Sequence, residues 1–497
     1  MNETTNAKST VEVASADALD AGNLPCIRFS LTRGAINDNG ATPWITTLGL
    51  GTPPQELRFM LDTGTVNTWI TANACTTDAC KLHRAFDPGH SRSFRPGKEG
   101  PKTVSFGPWG SMGVVLGNDV CHLQRGHQGE ERTVALNEPM SLYLSVSYVG
   151  PQFAALDCDG GLAIPAVPCE KPSALLEQLR HQGLIEQALA CFYFDSGRGT
   201  GSCLMGAVES ARFDPTTLNL LPVQPLAGEL NYLWTVCLDR LEIAGATQAE
   251  GANLVLDTGS SCFKGGPAII KRMIDAITNR GARPDQVSDK TALTDYPDLR
   301  LMLGGRLYTL KPEDYFLPIA PSTWKLGVQY LEGLPDELLV VGSVFLDSVY
   351  SIFHYETLTE GRCAVSLAMP RYPKLSVSGV WKNEFGSVLE IGSVAPDGTF
   401  RGVYRSHTGA TGVYPVVGVA DPQPTGANLA VSFSVSWRSL QGDEEPSWHW
   451  VSGFTGLLQE SNGQETLNTT YLLQQNANTS TPDWMATAIF PSTFKRV

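Results

Sequence analysis

The sequence predicts a mainly β protein in two parts. A mixed segment of strands with a few helices runs to about residue 368, and a helix-free up-and-down barrel follows it. Three observations carry this reading. Gly and Pro are frequent, with 49 and 32 residues, beside many Thr, Val, Tyr and Trp, a usage that suits short strands and tight turns. An Asp-Thr-Gly recurs at the end of an apolar run, in "FMLDTGTVNTW" (Phe59–Trp69) and in "LVLDTGSSCF" (Leu254–Phe263). At "MPRYPKLSVS" (Met369–Ser378) two prolines within four residues make a stiff connector, and predicted helix disappears beyond it.

A length of 497 residues is too great for one ordinary core, so several domains are expected. The net charge of −14, with 36 Lys and Arg, argues against nucleic acid and anionic membrane as partners. No apolar stretch reaches the length of a membrane span. The N-terminal "MNETTNAKSTVEVASADALDAGN" has no basic start and no apolar block, so no signal peptide is visible. Eleven Cys leave at least one thiol unpaired within the chain, and composition leaves secretion and cytosol both open.

In the first part, "PSALLEQLRHQGLIEQAL" and "PAIIKRMIDAITNR" read as helices, the second amphipathic and packed by its Ile and Met. "GRGTGS" (Gly197–Ser202) lies between strands and reads as a hairpin turn rather than a phosphate cradle. Cys191 and Cys203 flank that hairpin, either paired across it or as two buried thiols. Cys121, His122 and His127 lack a fourth ligand at finger spacing, so no metal is expected. There is no Gly-x-Ser-x-Gly elbow and no His-Glu-x-x-His helix.

The repeated Asp-Thr-Gly has a chemical reading. Two carboxyls a few ångströms apart cannot both ionise cheaply, so they share one proton. One then activates water as a base, and the other donates to the substrate carbonyl, which gives amide hydrolysis with no covalent intermediate. Gly permits a tight turn after each Asp, Thr fixes the loop, and the apolar strands "FML" and "LVL" position it. Two similar lobes would each supply one Asp.

With these motifs in hand, residues 27–368 resemble the pepsin-like aspartic proteases in order and spacing. "TTLGLGTPPQELRFMLDTGTVNTWI" matches the start of the family's first lobe, with Trp69 in the place of its active-site Trp. "FDPGHSRSF" matches the strand and turn before the flap, and "ELLVVGSVFLDSVYSIFHYE" the closing segment, whose Val340, Val341 and Gly342 brace the second active loop. The resemblance implies a bilobal β fold and endopeptidase activity without a cofactor. Asp62 and Asp257 would be the dyad, in loops completed by Thr63, Gly64, Thr65, Thr258, Gly259 and Ser260, with Thr65 and Ser260 holding the outer carboxylate oxygens. It also implies a disulfide between Cys75 and Cys80 in "CTTDAC", and secretion. The expected divisions are a flexible polar tail (1–24), lobe 1 (25–210), lobe 2 (211–368), a linker (369–377) and the barrel (378–497).

Two departures stand out. In the flap, "SFGPWGSMGVVLGND", Phe106 stands where the family usually has Tyr, so a hydrogen bond from the flap toward Trp69 is lost, and Trp109 near the tip is placed to cover the substrate. In "LDCDGGLAIP", Asp159 and Gly160 replace the apolar pair expected before Gly161, under the loop that seats Asp62. No basic prosegment precedes "CIRFSLTRG".

In the second part, alternation along "SGVWKNEFGSVLEIG" points Asn383 and Ser387 to one face with Trp381 and Phe385. Tyr404 with Ser406, and Ser447 with His449, repeat such inward polar pairs. Buried polar groups need partners, and either a polar ligand in the barrel mouth or a self-satisfied network with water supplies them. "GVWKNEFGS", "GVYRSHTG", "FSVSWRS", "TLNTTYLLQ" and "DWMATAIFPSTFKR" are similar, in order, to avidin and streptavidin. The resemblance implies an eight-stranded antiparallel barrel that binds biotin. Asn383, Ser387 and Tyr404 would hold the ureido oxygen, Ser406 a ureido nitrogen, and Trp437 would pack on the rings. Trp484 would reach a neighbouring subunit, which implies a dimer or tetramer. Tyr471 stands where a third pocket Trp is usual, Ser492 where an Asp or Asn accepts from the other ureido nitrogen, and His449 at a Thr position near the ring sulfur. Biotin binding is therefore expected to be weakened, or the pocket to prefer another ligand. Two functions compete: an acid endopeptidase acting on polypeptides with a biotin-binding barrel, or a catalytically silent pepsin fold whose barrel alone functions.

Overall fold

A computed structural model describes residues 18–127, 130–167, 175–355, 363–372, 375–395, 397–407, 412–422, 428–438, 450–461, 464–475 and 487–497. Contacts divide the chain into two compact units, one running to Tyr372 apart from residues 197–200, and the other comprising those four residues with Pro373–Val497.

The first unit is built on strands whose side chains alternate or are wholly buried. Two long β systems dominate it, a 16-stranded sheet and a 7-stranded sheet, with a small 3-stranded sheet beside them. Each large sheet ends one strand in an Asp-Thr-Gly loop. Gln55–Asp62 delivers Asp62, and Ala246–Leu256 stops one residue short of Asp257. Both carry the apolar run of the sequence buried at their C-terminal ends, where contacts are made on both faces.

Each of these strands is flanked by a short parallel partner. Gly160–Ala163 pairs with Gln55–Asp62 so that Ala163 lies opposite Asp62, and Leu338–Val341 pairs with Ala246–Leu256 so that Val341 lies opposite Leu256. The loop that carries Asp62 is tied down by Ile164 N–H donating to Asp62 O at 2.8 Å, and that of Asp257 by its own N–H donating to Val341 O at 3.0 Å. Gly342 has no alternative: a Cβ there would lie 2.0 Å from Ser260 O.

Of the two expected helices, one covers Leu175–His181 and the other Pro267–Ile277. The first stops at His181, where Gly183 takes φ +65° and Leu184 N–H closes back on Leu179 O, and residues 172–174 of its sequence pattern lie outside the described residues. The second buries Ile269, Ile270, Met273 and Ile277 on one face. Residues 196–199 form the turn after Leu189–Asp195, and the next strand, Thr200–Met205, lies beside it. Residues 18–24, expected in the polar tail, are held to the first unit. Leu19 is buried, Asp20 bridges to Val208, and the Ser210 hydroxyl donates to Asp20. The rest of the expected tail, residues 1–17, lies outside the described residues. Residues 369–372, expected in the linker, are hydrogen-bonded within the same unit: Arg371 N–H donates to Arg212 O and Asp214 N–H to Met369 O.

The second unit is a closed barrel of eight strands from Gly379–Asn383 to Thr487–Arg496, each antiparallel to the next and the last paired with the first. Closure removes every sheet edge. Leu429–Ser436 alternates strictly, its Leu, Val, Phe and Val inward and its Ala and Ser residues outward. Inside, Trp381, Phe400, Phe433, Phe454 and Phe494 fill the core.

Candidate active site and barrel interior

The two Asp-Thr-Gly loops meet in the first unit. Their glycines allow it: a Cβ on Gly64 would stand 2.6 Å from the Asp257 carboxyl carbon, and one on Gly259 would stand 2.5 Å from that of Asp62. The threonines lock the loops to each other. Thr63 Oγ1 donates to Leu256 O at 2.8 Å and accepts from Thr258 N–H at 2.9 Å. Reciprocally, Thr258 Oγ1 donates to Leu61 O at 2.7 Å and accepts from Thr63 N–H at 3.1 Å. Four buried hydrogen bonds between loops nearly 200 residues apart fix the two carboxyls with little freedom.

Each carboxyl accepts one loop amide, Asp62 from Gly64 N–H at 2.7 Å and Asp257 from Gly259 N–H at 2.9 Å. Beyond that they differ. The Ser260 hydroxyl donates to Asp257 Oδ2 at 2.6 Å. The Thr65 hydroxyl instead accepts from Asn67 N–H at 3.1 Å. Burial first, and the charge of Asp257 second, hold the Asp62 carboxyl well above the usual carboxylate range. Two carboxyls in this arrangement can hold a single proton between them and act on one water as acid and base.

A cleft of about 370 Å³ opens over the dyad, lined by Met60, Phe106, Trp109, Phe153, Tyr232 and Lys264 among others. Trp69 is buried beneath it, and among the described residues its indole N–H has no hydrogen-bond partner. Phe106 meets Trp69 edge to face, with centroids 6.3 Å apart. Cys75 and Cys80 form a disulfide at one side of this region, whereas Cys191 and Cys203 are buried free thiols. No metal-binding cluster occurs among the described residues.

The altered segment under the first loop is stabilised by residues the sequence reading passed over. Asp159 is wholly buried, yet it accepts from Arg58 N–H at 2.9 Å, from Arg84 N–H at 2.9 Å and from the Arg58 guanidinium at 3.0 Å. Gly160 and Gly161 lie against Trp69, where a Cβ would come within 2.4 Å of Trp69 O and 2.7 Å of its Nε1. The brace itself lies further along: Leu162 stands opposite Leu61 as Val341 stands opposite Leu256, so Gly161 and Leu162, and not Asp159 and Gly160, take the places of Val340 and Val341.

Inside the barrel, Asn383, Ser387, Tyr404, Ser406 and Ser492 are all buried. Asn383 and Ser387 come to the same side by a turn and not by alternation: the strand ends at Asn383, Gly386 N–H donates to Asn383 O, and Gly386 takes φ +83°. Phe385, expected inward, is therefore 58 % exposed. Asn383 Nδ2 donates to the Tyr404 hydroxyl at 3.4 Å and to Ser492 Oγ at 3.3 Å, both long. Trp437 donates from its indole N–H to Ser452 Oγ at 2.8 Å and packs edge to face on Tyr404 and Tyr414. Tyr471 stacks on Phe454. Glu384, which the sequence does not single out, accepts from Thr493 N–H at 2.9 Å and from the Ser492 hydroxyl at 3.5 Å. Ser447, His449 and Trp484 lie outside the described residues.

Residues 43–364 match the model of the eukaryotic aspartyl protease family, and residues 372–497 that of the avidin family. Among curated proteins the chain is similar to pregnancy-associated glycoprotein 2 of Bos taurus, 27% identical over 63% of this chain and 79% of the relative. It is similar to pepsin-2B of Gadus morhua, 27% identical over 63% of this chain and 93% of that protein, and to cathepsin E of Mus musculus, 27% identical over 62% and 76%. Among the described residues no helix is long and apolar enough to cross a membrane. With two interlocked Asp-Thr-Gly loops in one unit and a closed eight-stranded barrel in the other, the chain belongs to the eukaryotic aspartyl protease family and carries an avidin-family domain at its C-terminal end.

Proposed function

We propose that the first unit is an acid endopeptidase that hydrolyses peptide bonds by activating water between Asp62 and Asp257. The observation that carries this reading is the contact of the two loops, each glycine abutting the opposite carboxyl while the threonines cross-bond the backbones. Water held between the carboxyls loses a proton to one as its oxygen attacks the carbonyl carbon, and the carbonyl oxygen takes a proton from the other. The resulting tetrahedral diol collapses by protonation of nitrogen and cleavage of the C–N bond. Polypeptide substrate would lie in the cleft beneath Phe106 and Trp109. The Cys75–Cys80 disulfide supports an oxidising, secreted setting.

The barrel, on the same reading, binds biotin or biotinylated molecules through Asn383, Ser387, Tyr404, Ser406 and Trp437, and brings chains together as a dimer or tetramer. The buried Asn383 Nδ2, which donates at 3.4 and 3.3 Å, supports a polar ligand that would satisfy it better.

The test is cleavage of a denatured protein between about pH 3 and 5, with and without a statine inhibitor that mimics the diol. Inhibitor-sensitive cleavage is expected, and it should fall by about a thousandfold or more in Asp62→Asn and in Asp257→Asn, because the dyad acts as a unit. A protein that binds statine but cleaves nothing would instead make the first unit a silent binding module.

A further inference from the structure

Lys264 lies on Phe263–Gly265, the short strand that leaves the Asp257 loop, and it is only 3% exposed. Its ammonium donates to Ser260 Oγ at 2.8 Å, and Ser260 Oγ donates to Asp257 Oδ2 at 2.6 Å. A lysine ammonium has three hydrogens and no acceptor, so the Ser260 oxygen must accept from it. The single Ser260 hydrogen is then left for Asp257. The room for this is made by Gly40, at φ +79°, where a Cβ would lie 2.9 Å from Lys264 Cε. The segment around Gly40 is itself fastened to the loop, since Ser261 N–H donates to Gly40 O and Thr42 N–H to Gly259 O.

Among the described residues the other half of the dyad has no such chain. Thr65, which holds the matching place in the first loop, bonds Asn67 N–H. The charged and titratable groups around Lys264 are few. Asp257 and Asp62 face it from the two loops, and the Cys262 thiol from its own segment, with the Asp38–Lys325 pair beyond that thiol. Trp109 covers the ammonium, with its ring centroid 5.4 Å away, and uncharged Gln329 and Val340 stand abreast on the neighbouring strands. Burial pushes the ammonium down from its ordinary value, and the charge of Asp257 acts against that. In acid the ammonium is charged either way, because even fully buried lysines keep their proton below about pH 5.

We propose that Lys264 is a positioning residue which, through Ser260, commits the negative charge of the dyad to Asp257 and the shared proton to Asp62. In the proposed hydrolysis, on which this assignment rests, Asp257 then takes the proton from the attacking water and Asp62 gives its proton to the carbonyl oxygen. Return transfer delivers the proton on Asp257 to the leaving nitrogen, while a diol hydroxyl reprotonates Asp62 as the C–N bond breaks.

The pH profile of kcat/KM in Lys264→Met tests the idea. A positive charge favours both ionised carboxyls, so its loss should move both limbs to higher pH by about half a unit or more, with kcat about tenfold lower and KM little changed. In a Ser260→Ala background the same substitution should move the limbs less than half as far, because the relay is already cut. Superimposable profiles for wild type and Lys264→Met, or equal shifts in both backgrounds, would overturn the proposal. If Lys264→Met does not fold, Lys264→Gln keeps a donor without the charge, and its limbs must still move upward or the proposal fails. A second readout needs no turnover: carbon-13 carboxyl resonances of the wild type, assigned with Asp62→Asn and Asp257→Asn. Asp62 should take a proton first as pH falls, and protonation of Asp257 first would overturn the assignment. A wild type that cleaves nothing yet protonates Asp62 first would remove the peptidase reading and leave the relay standing.

Discussion

Trp69 and Phe106 meet edge to face, their planes at 78°, and among the described residues the buried Trp69 indole N–H between flap and core has no hydrogen-bond partner. An unsatisfied buried donor costs on the order of 1–3 kcal/mol. In Phe106→Tyr the added hydroxyl is expected to accept that hydrogen. The variant should be more stable by about 1 kcal/mol and close its flap more readily, so KM for peptides falls severalfold while kcat changes less. Unchanged KM, together with an unchanged Trp69 indole proton shift by NMR, would rule this out.

Asp62 gives a stability prediction whose sign can be worked out. Its native carboxyl is held well above its ordinary 3.8, so the folded state binds the proton more tightly than the unfolded state does. The associated stability is complete below about pH 4 and is lost as pH rises through the raised native value. Asp62→Asn cannot ionise, so it should melt close to wild type near pH 3 and several degrees higher near pH 7. That corresponds to a gain of about 1–3 kcal/mol. Calorimetric melts across this range check it, and a variant less stable than wild type at neutral pH would contradict it.

Arg58 reaches Asp159 from a partly exposed position, while Asp159 is buried. Removing the guanidinium in Arg58→Ala leaves a buried carboxylate with two backbone donors only, at a cost of about 2–4 kcal/mol. Because Asp159 directly precedes the strand beside Asp62, peptidase activity should fall along with stability. Chemical unfolding of Arg58→Ala, and of Arg58→Ala with Asp159→Asn, separates the two effects. The double variant should recover at least half of the loss.

In the barrel, Glu384 already sits against Ser492, within 3.5 Å of its hydroxyl. A carboxylate introduced by Ser492→Asp would meet a like charge. Alone it should improve biotin affinity by less than about threefold, whereas Ser492→Asp with Glu384→Gln should tighten it by about tenfold or more. Calorimetry on the full chain decides, and an equal gain with and without Glu384→Gln would show that Glu384 does not act at this position.

Much of this architecture is written in short stretches. The apolar runs before Asp62 and Asp257, the glycines that follow, the amphipathic Pro267–Ile277 helix and the alternation of Leu429–Ser436 are set by neighbours a few residues apart, where periodicity and turn chemistry act. The glycine of each Asp-Thr-Gly is dictated by the carboxyl opposite, and that is why the motif survives as a readable repeat. Phe385 shows where alternation fails: the strand ends at Asn383 and a turn through Gly386 interrupts the period there.

Tertiary structure alone decided the rest. Nothing in the sequence singles out Lys264, and only the approach of Gly40 and the Asp257 loop buries it beside Ser260. Arg58 and Asp159, 101 residues apart, turn an apparent defect under the first loop into a satisfied ion pair. Glu384 and Ser492, 108 apart, meet only because the barrel closes its first strand on its last. Local periodicity fixes which face a side chain takes. Which charge it meets there depends on chain closure over long separations, and no window of sequence contains that information.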